Sequence, residues 1–88
     1  MLRISWRATP EGGRILLAEG RISGRWIQEL QGACDRARAE SGGLALDVAG
    51  VTFVDPEGAR ALRALARGGG VTLLHASAYL AEVLKAER

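Results

Sequence analysis

Few side chains in this sequence are suited to chemistry, and most of them sit close together. The stretch GVTFVDPEGARAL, residues 50–62, places two carboxylates, Asp55 and Glu57, around Pro56 where an apolar, strand-like segment runs into a helix-like one. Asp47 lies just upstream in LALDVAGV. Carboxylates at short spacing can act as an acid–base pair or hold a divalent cation. Asp47, Asp55 and Glu57 do not have the spacing of a Mg²⁺ site, and no metal is expected. The one histidine, His75, directly follows VTLL with no Ser/Asp or Cys arrangement to work with, so it reads as a strand-end residue rather than a catalytic one. Cys34 falls on an apolar stripe and reads as a small core residue. Gly68, Gly69 and Gly70 follow a helix instead of introducing one, so they are not a phosphate-binding loop. Neither catalysis nor a cofactor is expected.

The corner itself has two readings. Asp55 suits an N-cap, where its carboxylate accepts a hydrogen bond from an amide of the first helical turn. Pro56 fits the first helical position, which needs no N–H. Glu57 is favoured at the positive end of the helix dipole. Gly58 is not explained this way, since glycine inside a helix costs about 1 kcal/mol relative to alanine. Glycine is expected there if another backbone or a partner comes close. Helix cap and contact surface both stand.

The elements that position this corner follow from periodicity. LRISWR alternates, with Leu2, Ile4 and Trp6 on one side and Arg3, Ser5 and Arg7 on the other, as a half-buried strand does. Pro10, Gly12 and Gly13 turn the chain into a second strand, RILLAEGRI, predicting an antiparallel hairpin. Ser23 is the expected N-cap of a helix of about four turns, with Trp26, Ile27, Leu30, Ala33, Cys34 and Ala37 at helical spacing. Gly42 and Gly43 should stop it. LALDVAGV is apolar enough for a central parallel strand. Its Leu44, Leu46 and Val48 face one way, and Ala45, Asp47 and Ala49 the other. A helix over about Pro56 to Arg67 with Leu62 and Leu65 inward, a short strand VTLL, and a last helix AYLAEVLKAER opened by Ser77 complete the chain. The expected fold is α/β, in the order ββαβαβα. A mixed, mostly parallel four-stranded sheet carries all its helices on one face, because parallel crossovers are right-handed.

Composition agrees with one small domain over residues 1–88. The chain has 88 residues, 48% of them apolar, so it should bury a thin core for which a partner could matter. The charge is +2, from eleven Arg and one Lys interleaved with ten acids. There is no dense basic run and no aromatic stacking surface, so nucleic acid is not the expected partner. No apolar run reaches the ~20 residues of a membrane span. MLRISWRATPEGG does not read as a signal peptide, and a lone cysteine fits a reducing, cytoplasmic setting.

Most of the chain, and the corner above all, resembles the STAS domains, the family of bacterial anti-sigma-factor antagonists. The resemblance rests on Leu46-Asp47, Gly50-Val51, Phe53-Val54-Asp55 and Gly58 within LALDVAGVTFVDPEGARALRAL. LLAEGRISGRWIQEL is similar to the family's second strand and first helix, and LLHASAYLAEVLKA to its later strand and the helix opened by Ser77. What it implies is the same fold and a non-catalytic, regulatory role in binding another protein. The corner and following helix would form the interface, through Asp55, Pro56, Glu57, Gly58, Arg60, Arg63 and Arg67. The three arginines fall on one helical stripe offset from Leu62 and Leu65.

This chain departs from the family pattern in informative ways. The position after the corner Asp, which receives phosphate in regulated members, is Pro56 and has no hydroxyl. Glu57 supplies a fixed charge of about −1, against roughly −1.5 to −2 for a phosphoserine. Ser23 replaces an acidic residue common after the second strand. The chain also stops where a last strand and helix would follow, so the domain is expected to be shortened at its C-terminus. VTLL would then be an open edge that invites dimerisation or a covering partner. Two partners fit the resemblance. One is an anti-sigma factor or similar kinase-fold regulator. The other is the ATPase of a lipid-transport ABC system, which binds small STAS subunits and needs no phosphorylation. A remote alternative is a phosphatase-like enzyme. LALDVAGVTFVD echoes the Asp-x-Asp-Gly-Thr motif of haloacid-dehalogenase-type phosphatases, with Asp47 as nucleophile, but the second Asp is Ala49.

Overall fold

The alternation in the first strand and the turn residues after it produce a hairpin. In a computed structural model that describes residues 1–11, 13–41, 43–68 and 70–85, β1 (Leu2–Ala8) pairs antiparallel with β2 (Arg14–Ile22). The register sets Leu2 opposite Gly20, Ser5 opposite Leu17 and Ala8 opposite Arg14. Thr9 closes the loop, its amide donating to the Gly13 carbonyl (3.0 Å) and its Oγ1 accepting the Gly13 amide (2.9 Å). Gly12, also expected in this turn beside Pro10 and Gly13, lies outside the described residues.

Ser23 enters the next helix through its carbonyl, which accepts the Trp26 amide at 3.1 Å. Gly24, at φ 57°, inserts a left-handed turn, so α1 spans Trp26–Ser41 and starts three residues beyond the expected cap. Of the two glycines expected to stop it, Gly42 lies outside the described residues, and the amide of Leu44, just after Gly43, pairs with the carbonyl of Gly70 at 3.1 Å.

β3 (Leu44–Val54) runs parallel to β2, and β4 (Val71–Leu74) parallel to β3, giving the strand order β1-β2-β3-β4. β3 is longer than LALDVAGV and contains two register shifts against β2, between the partners of Leu17 and Glu19 and between those of Gly20 and Arg21. Each extra residue in β3 reverses its in–out alternation. The buried positions therefore step from Leu44, Leu46 and Val48 to Val51 and Val54. The chain turns into α2 (Pro56–Gly68), returns through β4 and continues into α3 (Ala78–Lys85). Ser77 caps α3 as expected, its Oγ accepting the Leu80 amide at 3.1 Å. Gly69, and the last three residues of the expected final helix, lie outside the described residues.

The α/β class, the mixed four-stranded sheet and the three helices agree with the expectation. α1 packs on β2, β3 and α2, while α2 packs on β3, β4 and α3, so the helices form one row. Leu16, Leu30, Cys34, Leu46, Val48, Leu62 and Leu80 are fully buried between that row and the sheet. Each large aliphatic among them is worth about 1.5–3 kcal/mol relative to an exposed side chain. The opposite face of the sheet carries Arg7, Leu17, Asp47 and Leu74, and no described helix covers it. No helix among the described residues is long and apolar enough to cross a membrane.

Candidate partner-binding corner and a buried carboxylate

The corner between β3 and α2 is held by hydrogen bonds from three directions. The Asp55 amide donates to the Ile22 carbonyl at the end of β2 (3.2 Å), which carries the parallel pairing past the last residue of β3. The Asp55 Oδ1 accepts the Gly58 amide at 2.6 Å, the N-cap expected of it. From α3, the Tyr79 hydroxyl accepts the Val54 amide at 3.0 Å and faces the Val54 carbonyl at 3.4 Å. The sequence reading overlooked Tyr79. Its position one residue after the Ser77-Ala78 helix start was a usable signal, since a half-exposed aromatic in a first helical turn seeks a partner for its hydroxyl.

Gly58 is accounted for by its neighbours. It is buried, and a Cβ on it would lie 2.6 Å from the Ile22 carbonyl oxygen and 3.0 Å from Val54 Cγ1. The close approach that a glycine requires here comes from the chain's own β2. Gly58 shapes the corner from beneath and presents no side of it to solvent.

The other expected contact residues divide by exposure. Pro56 and Glu57 are exposed, and Asp55 is half-buried. Arg60 is exposed and sits 3.9 Å from Glu57 one turn earlier, a pairing worth only a few tenths of a kcal/mol at such a surface. Arg63 is half-buried and leans toward α3, its Nη1 donating to the Val83 carbonyl at 3.4 Å. Arg67 is exposed in the last turn of α2. The stripe thus leaves Arg60 and Arg67 outward and uses Arg63 to join two helices. Beside the corner, Phe53 keeps 37% of its surface exposed, with the Arg21 guanidinium 4.5 Å from its ring centre. Phe53 and Arg21 are partners across β3 and β2, each alternating with an inward residue, Val54 and Ile22.

Asp47 belongs to a separate arrangement on the sheet face away from the helices. It is the one polar or charged residue that is buried among the described residues, at 6% exposure. Its Oδ1 accepts the Ala49 amide at 2.9 Å. Ala49 lies in the first irregular stretch of β3, where the ladder with β2 is interrupted, so the carboxylate replaces a missing strand partner. Its Oδ2 lies 3.1 Å from His75 Nδ1 and 3.5 Å from Arg7 Nη2. Chiefly the Ala49 hydrogen bond, and then His75 and Arg7, hold its carboxyl below the usual carboxylate range despite burial. His75 adopts φ 62°, the only left-handed non-glycine among the described residues.

This geometry makes Asp47 a staple. One oxygen serves the strand, and the other meets the Arg7 guanidinium and the His75 ring. Among the described residues no three His, Cys, Asp or Glu side chains converge on a point where a metal could sit. Asp47 is thus not brought into a shared site with Asp55 and Glu57. Cys34 lies in the core, and burial pushes its thiol up to about 11. No protein-family model matches the chain, and no curated protein matches it.

Proposed function

We propose that the chain is a regulatory protein-binding module of the STAS kind, without chemistry of its own, that offers the β3–α2 corner to a partner. The observation that carries this reading is the build of the corner. Ile22, Asp55 and Tyr79 fix its backbone, while Pro56, Glu57 and Phe53 remain at the surface. A surface held rigid before binding loses little conformational entropy on association. Arg60 extends it with a cation suited to an interface, since the guanidinium is weakly hydrated and forks to two acceptors. The family resemblance points to an anti-sigma factor or kinase-fold regulator as partner.

A second reading, the small subunit of a lipid-transport ABC system, is favoured by one observation. Pro56 leaves no hydroxyl at the position after Asp55. Such a subunit would bind its ATPase without any phosphate switch.

The test is an affinity capture from native extract with the wild type beside a Glu57→Arg/Arg60→Glu variant, followed by binding measurements with the purified partner. Capture of a histidine-kinase-like anti-sigma factor by the wild type alone supports the first reading. Capture of a transport ATPase supports the second. A partner bound equally by both proteins, or nucleic acid alone, overturns the placement of the interface.

A further inference from the structure

α1 packs on β2 and β3, one strand in from the sheet edge, so the helix-side face of β1 is left partly open. A trough of about 270 Å³ lies there, lined by Ile4, Trp6, Leu16, Glu29, Ala33 and Arg36. Ile4, Trp6, Leu16 and Ala33 supply its apolar part, and Trp6 remains 47% exposed although it stands on the core side of the sheet. The Arg14 guanidinium covers part of the indole, 4.4 Å from the ring centre. An aromatic left in this position is what an absent neighbour in the helical row would cover.

The rim identifies that neighbour. Glu29 and Arg36 are both exposed on the α1 side of the trough, and neither forms an ion pair among the described residues. They lie two helical turns apart, about 10.5 Å at 1.5 Å per residue. Gly32 sits almost midway, and a Cβ on it would meet nothing closer than an Arg36 nitrogen at 3.4 Å. An α-helix laid antiparallel to α1 and crossing it at Gly32 would face Glu29 with its own residue 36 and Arg36 with its own residue 29. The Glu29–Arg36 pair is therefore complementary to itself about a two-fold axis, as a closed dimer interface requires.

We propose that the chain forms a symmetric dimer in which α1 of a second copy lies antiparallel against α1 and fills the trough over β1. Glu29 of each copy meets Arg36 of the other, so the contact occurs twice, and Trp6 of each copy is covered. Gly32 lets the axes approach to the ~8–10 Å of packed helices. The surface is distinct from the β3–α2 corner, so each copy keeps its corner available, and neither proposal depends on the other.

Sedimentation equilibrium across a concentration series tests this with charge reversals. Glu29→Arg and Arg36→Glu each place two like-charge contacts in the interface and should weaken the dimer roughly tenfold or more. An equimolar mixture of the two variants restores opposite charges at both contacts, and the mixed dimer should return close to wild-type affinity. So should the double reversal in one chain. These exposed positions leave the core intact, and a circular dichroism spectrum matching the wild type confirms the fold of each variant. A wild type that remains monomeric throughout the series overturns the proposal. So do single variants that dimerise as well as the wild type, or a mixture that fails to recover.

Discussion

A Cβ on Gly58 would lie 2.6 Å from the carbonyl oxygen of Ile22, although thirty-six positions separate the two in sequence. That same carbonyl accepts the Asp55 amide at 3.2 Å, so the end of β2 and the first turn of α2 are locked together with no room for a methyl group.

Gly58→Ala should therefore destabilise the protein by about 1–3 kcal/mol, the usual cost of forcing volume into a packed site, despite the better helix propensity of alanine. Gly68→Ala is the matched comparison. That glycine ends the same helix, and a Cβ on it would meet nothing within 4 Å. The substitution should be neutral or stabilising by up to about 1 kcal/mol. Urea titration of both variants reads the opposite signs directly. Equal losses would mean that helix context, and not Ile22, sets the requirement at position 58.

Asp47 links stability to acid. Its carboxyl is held below the ordinary value of 3.8, first by the Ala49 amide. The unfolded chain therefore takes up the proton more readily than the folded one. The stabilisation is fully present above that ordinary value, and is lost as pH falls through the lower folded value. Denaturant titrations from about pH 6 down to about pH 2 should show this loss in the wild type and a shallower one in Asp47→Asn. Asp47→Ala, which also orphans the Ala49 amide, should cost about 1–3 kcal/mol at neutral pH, more than the Asn variant. An acid limb unchanged in Asp47→Asn would remove Asp47 from the account.

Cys34 should be inert in the folded protein. With its thiol pushed up to about 11 by burial in the core, almost none is ionised at neutral pH, and the sulfur is fully covered. Iodoacetamide followed by mass spectrometry should label it only when denaturant is present. Rapid labelling of the native chain would show that α1 opens far more readily than its packing implies.

What could be read from the sequence depended on how local the deciding contacts are. The bounds of β2 and β4, the Asp55 and Ser77 caps and the inward faces of α1 and α2 all follow from neighbours a few residues apart, where composition is informative. β3 was legible only in its regular part. Beyond Val48 its inward positions are three residues apart, at Val51 and Val54, and two register shifts that depend on β2 produce that spacing. The corner was recognisable as Asp-Pro-Glu-Gly, yet Gly58 could not be assigned to a neighbour because Ile22 is remote in sequence. Asp47 stood out as a carboxylate in an apolar strand, which already implies that it is paired. Arg7 and His75, forty positions before it and twenty-eight after, could be assigned only once the sheet was assembled.

The strand order has a consequence for how the chain is made. β1, β2, β3 and β4 lie side by side in the order in which they leave the ribosome. Each strand docks beside the one synthesised immediately before it, and no gap waits for a segment still to be translated. The sheet can grow by addition at one edge, starting from the β1–β2 hairpin. α3 follows all four strands, and only once it is seated does Tyr79 reach the backbone of Val54 and complete the β3–α2 junction. Maturation of that surface thereby waits for a helix that follows every strand of the sheet in the chain.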